Sequence, residues 1–236
     1  MEIAIASDRR LYDYTKVLIN NLVKTQPNLN HIHVFLEDDE LPDYNTPECV
    51  KYYNANNYSD FVTTMDKIAK MTEVGPLACI RCWFPDILKD LDKVIYLDID
   101  ILVRKPLDEL WNLDIENYYI AAVEDLNIRL FWQSCFVGIE EEEYINSGVL
   151  LMNLKKMRQD NLVKKMKFLL TTVELKFLDQ DALNIACNKK IYYIDTRFNS
   201  SYISGEVSDP FIYHGVRIKP WLLQCKWYDE WVKNKE

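Results

Sequence analysis

Asp98 and Asp100 are the residues in this chain best arranged for chemistry. They close a short apolar run, Val94-Ile95-Tyr96-Leu97, that reads as a buried strand, and Ile101-Leu102-Val103 follows them. Burying two carboxylates in apolar surroundings is costly unless something neutralises them. In extended chain, residues i and i+2 point to one side, so both carboxylates can converge on one cation. Hard oxygen ligands suit Mn²⁺ or Mg²⁺, and such ions commonly carry a substrate phosphate. A bare pair of this spacing also reads as two turn-capping aspartates. The apolar flanks on both sides favour the metal reading.

A second group lies in the last third. Ile212-Tyr213-His214 is a short apolar segment ending in an imidazole, followed by Gly215 and Lys219-Pro220-Trp221. A neutral imidazole is a common third ligand beside carboxylates. Lys219 supplies a point charge for a phosphate. The chain has three histidines. The other two, His31 and His33, alternate with Ile32 and Val34 and so read as strand-face residues rather than ligands.

The elements that must position these groups follow from periodicity. Ile3–Ala6 reads as a first strand, with a helix over Tyr14–Thr25 whose Tyr14, Val17, Leu18 and Leu22 recur at helical spacing. His31–Leu36 and Val50–Tyr53 read as strands, and Met65–Leu88 as helical stretches interrupted at Gly75-Pro76. Beyond the aspartate pair come a short helix from Leu107 to Trp111, a strand over Tyr119–Val123, a strand over Val149–Met152, one long amphipathic helix over Leu154–Leu170, a helix over Gln180–Cys187 capped by Asp179, and a strand over Ile191–Ile194. Strands alternating with helices predict an α/β protein with a mostly parallel sheet. Ligands of such sheets bind outside the carboxyl ends of the strands. Asp8 and the Asp98/Asp100 pair both stand at strand ends, so one sheet edge gathers them. The segment from Leu126 to Tyr144, aromatic and ending in four consecutive glutamates, reads either as a surface loop or as an acceptor-side lid.

Composition narrows the function. The 236 residues fit one domain spanning the chain, and the formal net charge of −9 argues against nucleic acid as the partner. Only five glycines are present, with no G-x-G-x-x-G and no Walker segment, so phosphate binding must come from metal, Lys219, Arg81 and backbone N–H groups. Six cysteines are dispersed, and Cys79-x-x-Cys82 has no second pair, which fits free thiols in a reducing compartment. No leader is evident, and no run approaches the ~20 apolar residues of a membrane span. The basic stretch Lys155–Lys167 reads as a solvated face. The expected location is cytoplasmic, soluble or peripheral at a membrane surface.

In order and spacing, these motifs resemble glycosyltransferase family 8. The resemblance covers most of the chain. It rests on Ile3-Ala-Ile-Ala-Ser-Asp8, on Arg81 within Cys79-Ile-Arg-Cys-Trp-Phe-Pro85, on Asp98-Ile-Asp100, on Asn146-Ser-Gly148, on Leu178-Asp-Gln-Asp-Ala-Leu-Asn184, and on His214 with Lys219-Pro220-Trp221. It implies a GT-A fold, Rossmann-like, with a mixed, mostly parallel sheet flanked by helices. It also implies transfer of a hexose, with retained configuration, from a UDP-sugar to a glycan or lipid-linked sugar acceptor, with Mn²⁺ or Mg²⁺. On this resemblance Asp98, Asp100 and His214 hold the metal. Ala6 and Asp8 meet the uridine, while Arg81, Asp125, Gly215 and Lys219 line the rest of the donor. Asn146, in a turn, with Asp179 and Gln180, serves the sugar. Two departures are visible. Val216 stands where the family usually has a glycine, with Gly215 beside it, and Arg10 takes the place of a small polar residue.

Retention through a covalent intermediate needs a carboxylate on the sugar's β face. Gln180 holds the matching position, and an amide is a poor nucleophile. A same-face displacement is therefore expected, with Asp181 as the fallback nucleophile. Two other activities use similar parts. One is self-glycosylation on a tyrosine, of which there are 15. The other is a metal-dependent nucleotidyltransferase or phosphohydrolase, which would need extra basic residues or a Gly-rich loop near the N-terminus. A sugar-binding protein without catalysis would not need the full polar set.

Overall fold

The computed structural model describes residues 1–68, 76–126, 128, 139–140, 143–202 and 207–235. Strand β1 (Glu2–Ser7) buries every residue after Glu2. The Asp8 carboxylate then accepts the Arg10 N–H and starts a short 3-10 turn that leads into helix α1 (Tyr12–Thr25). β2 (His31–Leu36) and β3 (Val50–Asn54) follow, then α2 (Ser59–Ile68), a 3-10 helix over Pro76–Trp83, and α3 (Phe84–Ile87). β4 (Val94–Leu97) delivers Asp98, and β5 (Ile101–Val103) leaves from Asp100. The remainder comprises α4 (Asp108–Trp111), β6 (Ile120–Glu124), β7 (Ile145–Met152), α5 (Leu154–Gln159), α6 (Leu162–Thr172), α7 (Leu178–Cys187), β8 (Ile191–Tyr193), β9 (Ile212–His214) and α8 (Tyr228–Val232).

Seven strands form one sheet in the order β3-β2-β1-β4-β7-β6-β8. The pairs β3/β2, β2/β1, β1/β4 and β6/β8 are parallel, whereas β7 runs antiparallel to both β4 and β6. The mixed, mostly parallel sheet is as expected from sequence. Alternate side chains feed two cores. Ala4, Phe35, Tyr96 and Leu150 face α2, α5, α6 and α7, and Ile5, Val34, Leu97 and Leu151 face α1 and α4. Burial on both faces explains why β1, β4 and β7 read as apolar runs rather than alternations. A second, two-stranded sheet pairs β5 with β9 antiparallel, and its register sets Ile101 opposite His214.

Three local expectations are corrected. Asn146-Ser147-Gly148 is not a turn, because β7 begins at Ile145 and carries all three as strand residues. The single helix over Leu154–Leu170 is two helices, α5 and α6, broken at Asn161, which adopts φ 53°. An unbroken helix would set Asn161 seven residues after Leu154, on the buried stripe with Met157. The break keeps that amide out of the core, and asparagine tolerates the left-handed conformation. Asp179 is not an N-cap either. Helix α7 starts at Leu178, with Phe177 at the cap, and Asp179 lies in its first turn. The lid reading of residues 126–144 and the break at Gly75 fall largely outside the described residues.

Candidate active site

The site is assembled where β4, β7 and the β5/β9 ribbon meet. The Asp98 N–H donates to the Gly148 carbonyl at 2.9 Å, extending the β4/β7 ladder one step past the strand. The Gly215 N–H donates to the Asp100 carbonyl at 2.8 Å, which ties the end of β9 to the start of β5. These two backbone bonds bring three side chains together. His214 Nε2 lies 3.6 Å from Asp98 Oδ2 and 3.3 Å from Asp100 Oδ1. Lys219 Nζ reaches Asp100 Oδ2 at 2.5 Å.

Glycine is required at two places here by close approach. A Cβ on Gly148 would fall 2.8 Å from Asp98 Oδ2 and closer still to His214 Cε1. A Cβ on Gly215 would meet Pro220 Cδ at 2.7 Å and the Asp100 carbonyl at 3.0 Å. The bare backbone of Gly215, rather than of position 216, is what lets the Lys219 loop fold back.

The charges of this cluster hold one another. Burial pushes the Asp100 carboxyl up, but His214 and Lys219 overcome it and hold the group well below the usual carboxylate range. Burial likewise pushes the His214 imidazole down, and Asp100 and Asp98 reverse this, raising it. Two carboxylates and an imidazole, with ligand atoms all within 4.8 Å of one another, are a donor set fitted to Mn²⁺ or Mg²⁺.

A buried arginine holds the next layer. The guanidinium of Arg81 pairs with Asp98 at 2.9 Å and with Asp179 at 3.1 Å, and donates to the Ser147 carbonyl at 2.7 Å. Its Cζ lies 4.0 Å over the Tyr96 ring, and the Tyr96 hydroxyl donates to Asp98 Oδ1 at 2.6 Å. Burial raises the Asp179 carboxyl, opposed by Arg81.

Beside this lies a cleft of about 530 Å³ lined by Asp125, Ile128, Asn146, Phe177, Gln180, Val216 and Arg217. Its polar groups hold one another. Asp125 Oδ2 accepts from Asn146 Nδ2 at 3.2 Å and from Gln180 Nε2 at 3.0 Å. Gln180 Oε1 accepts the Ser147 N–H at 3.0 Å, which fixes the amide's orientation. Asp125, expected from sequence along the donor, is a buried acceptor between the two amides.

Asp181, the fallback nucleophile, is fully buried. Its carboxylate accepts the N–H groups of Lys176 and Phe177, both at 2.8 Å, and the Tyr144 hydroxyl. It fastens the start of α7 and is not presented to the cleft.

Ala6 and Asp8 lie on the same edge. The β1/β4 register pairs Ile5 with Leu97, so Ala6 stands one step on, at the level of Asp98. The Asp8 carboxylate is not drawn into the metal cluster. It is paired with Arg10 at 2.7 Å, and that pairing lowers its pKa.

Two residues escaped sequence reading. Asn199 Oδ1 lies 2.9 Å from His214 Nδ1, while Asn199 Nδ2 donates to Asn146 Oδ1 at 2.9 Å. It orients the imidazole and joins the Asp98/Asp100/His214 cluster to the cleft lined by Asn146 and Gln180. Asn184 holds both the N–H and the carbonyl of Ile145, at 2.8 and 2.9 Å, and so anchors the first residue of β7. Asn184 stood within the Leu178–Asn184 motif. Asn199 had no sequence signal beyond an asparagine near a predicted strand.

The family model described as Glycosyl transferase family 8 matches residues 2–222. General stress protein A of Bacillus subtilis is 33% identical over 170 residues, which cover 69% of this chain and 56% of that protein. Glucoside xylosyltransferase 1 of Mus musculus is 30% identical over 190 residues, covering 74% of this chain and 45% of its own length. The chain thus spans less than two thirds of these curated relatives. Among solved structures, the galactosyltransferase LgtC, in complex with donor and acceptor sugar analogues, superposes with a TM-score of 0.77 at 22% identity, covering 100% of this chain and 95% of LgtC. At that identity the likeness establishes the fold, which is GT-A. A further LgtC structure is of an active-site mutant in which glutamate replaces a glutamine.

Proposed function

The chain belongs to glycosyltransferase family 8, and we propose that it is a metal-dependent, retaining glycosyltransferase, one domain over residues 1–236, that moves a hexose from a UDP-sugar to a glycan or lipid-linked sugar acceptor in the cytoplasm. The observation that carries this reading is the convergence of Asp98, Asp100 and His214 beside Lys219, next to a cleft lined by Asn146, Asp125 and Gln180.

Asp98, Asp100 and His214 would hold Mn²⁺ or Mg²⁺, which would supply Lewis-acid neutralisation of the charge on the leaving diphosphate. Lys219 adds a fixed cation to the same phosphates. Ala6 and Asp8 meet the ribose and base at the adjoining strand end, where the donor competes with Arg10 for the Asp8 carboxylate. Arg81 keeps Asp98 aimed, and holds Asp179 toward the sugar hydroxyls. Asn146 and Asp125 offer further hydrogen bonds to the sugar. Gln180 orients the sugar through an amide already fixed by Ser147. With an amide at that position and Asp181 turned inward, the reading favours same-face displacement, in which the departing phosphate takes the acceptor proton. LgtC, which shares the fold, also carries a glutamine in its active site, in keeping with a place for Gln180 in this one.

A thermal-shift panel tests the donor. UDP-galactose, UDP-glucose and UDP-xylose, with ADP- and GDP-sugars as controls, are each run with and without Mn²⁺. The expected result is a shift for a UDP-sugar that requires Mn²⁺. Equal shifts for all nucleotides, or shifts independent of metal, would overturn the reading.

A further inference from the structure

The far edge of the sheet carries a second cluster of ligand atoms. β1 and β2 run parallel, with Glu2 opposite His31. His33 lies two residues along β2 and therefore shares the face of His31. His31 Nδ1 is 3.2 Å from Glu2 Oε2, and His33 Nε2 is 2.9 Å from the same oxygen. All three ligand atoms lie within 4.8 Å of one another. A tetrahedral ion with bonds of about 2.0–2.1 Å sets its ligands about 3.3 Å apart, so the cluster is near the spacing such an ion imposes.

We propose that Glu2, His31 and His33 form a second divalent-cation site, built for a borderline metal such as Zn²⁺ and independent of the donor site. Two imidazoles and one carboxylate suit that ion better than the oxygen-rich set around Asp98 does. The site lies about 20 Å from Asp8, six residues back along β1, so it does not belong to the catalytic edge.

The surroundings have the construction of a ligand shell. His33 is buried, and its other ring nitrogen, Nδ1, lies 2.8 Å from the Tyr53 hydroxyl on β3. With Nδ1–H donated to that hydroxyl, the Nε2 lone pair points at the Glu2 carboxylate, where the ion would sit. A hydrogen-bonded second nitrogen of this kind is what fixes the tautomer of ligating histidines. Tyr53 is itself held by stacking on Phe35, with ring centroids 4.7 Å apart. The His31 side chain is 36% exposed, which leaves one side open for water as the fourth ligand. The same atoms also satisfy one another without metal, with Nε2–H donating to Glu2. His31 and His33 lie on strand β2, as read from sequence, and the proposal gives them a ligand role as well. The bound ion would clip β1 to β2 at their first residues.

Calorimetric titration of the metal-free chain with ZnCl₂ tests this. Asp100→Asn is expected to show a one-to-one Zn²⁺ event that raises the melting temperature, and wild type to show the same event beside any binding at the donor site. His31→Ala and the isosteric Glu2→Gln should both weaken it at least tenfold, and Tyr53→Phe about tenfold through loss of the orienting hydroxyl. His31 is partly exposed and Glu2→Gln conserves volume, so both variants are checked for an intact fold by circular dichroism. If Asp100→Asn abolishes all Zn²⁺ binding, or if His31→Ala and Glu2→Gln bind as wild type does, the second site does not exist.

Discussion

At the residue scale, the Asp98/Asp100 pair is costly to bury and stabilised by specific partners. Arg81, Tyr96, His214 and Lys219 each contact one or both carboxylates. Asp100→Asn removes one charged ligand but keeps volume, and its backbone carbonyl still accepts from Gly215. Transfer is expected to fall on the order of 10²-fold or more, as for loss of a transition-state charge stabiliser, with an unchanged circular dichroism spectrum. Wild-type rates with Mn²⁺ in this variant would remove the metal site from the mechanism. Gln180 behaves differently. On the proposed role, in which its amide orients the sugar, Gln180→Ala should lower kcat more than it raises KM. Steady-state kinetics with calorimetric donor binding separates the two effects. Unchanged kcat with lost donor affinity would make Gln180 a binding residue alone. The stereochemistry is read by NMR on the product, and inversion would end the same-face mechanism.

At the element scale, the break between α5 and α6 is decided by one residue. Asn161 adopts φ 53°, where a Cβ costs roughly 1–2 kcal/mol. Asn161→Ala should lose about 1 kcal/mol in urea unfolding, and Asn161→Gly should be neutral or slightly stabilising. If the alanine variant were as stable as wild type, the two helices would not depend on the left-handed residue. β7 shows a different constraint. Periodicity found its apolar half, Val149–Met152, but not Ile145–Gly148. Those residues carry an asparagine, a serine and a glycine, which propensity assigns to turns. They are in a strand because Asn184 supplies the hydrogen bonds at Ile145 and because the metal ligands leave room only for Gly148.

At the scale of the whole molecule, the C-terminal elements are clamped onto α1 and β5. The Tyr14 ring stacks on Trp221 at 4.0 Å, and Trp231 lies 6.1 Å from Tyr14. Arg104 makes two bonds to Glu230, at 2.8 and 3.1 Å, with its Cζ 3.9 Å over Trp227. Asn20 and Lys24 donate to the carbonyls of Asn234 and Lys233. Lys219 hangs between β9 and this clamp. Trp231→Ala should therefore cost about 3–5 kcal/mol in denaturant unfolding and also weaken UDP binding, measured under conditions where the variant is folded. Loss of stability with unchanged UDP affinity would show that the clamp does not position Lys219. Among the described residues, no helix is long and apolar enough to cross a membrane.

What the sequence determined by itself is the part that depends on neighbours along the chain. β2 matched its predicted span, β1, β3 and α1 fell within two residues of theirs, and the strand ending in Asp98-Ile-Asp100 was legible from four apolar residues before two carboxylates. Parallel alternation then put Asp8 and the aspartate pair on one edge. The tertiary structure decided what joins distant segments. Lys219 meets Asp100 across 119 residues, and His214 is oriented by Asn199, which also reaches Asn146 across 53. Motif order alone could group these residues, but not say that Asp179 pairs with Arg81, that Asp181 faces inward, or that His31 and His33 converge on Glu2. Such contacts arise from strand order and register, which are set when two buried faces are packed at once. Local periodicity carries no record of that choice.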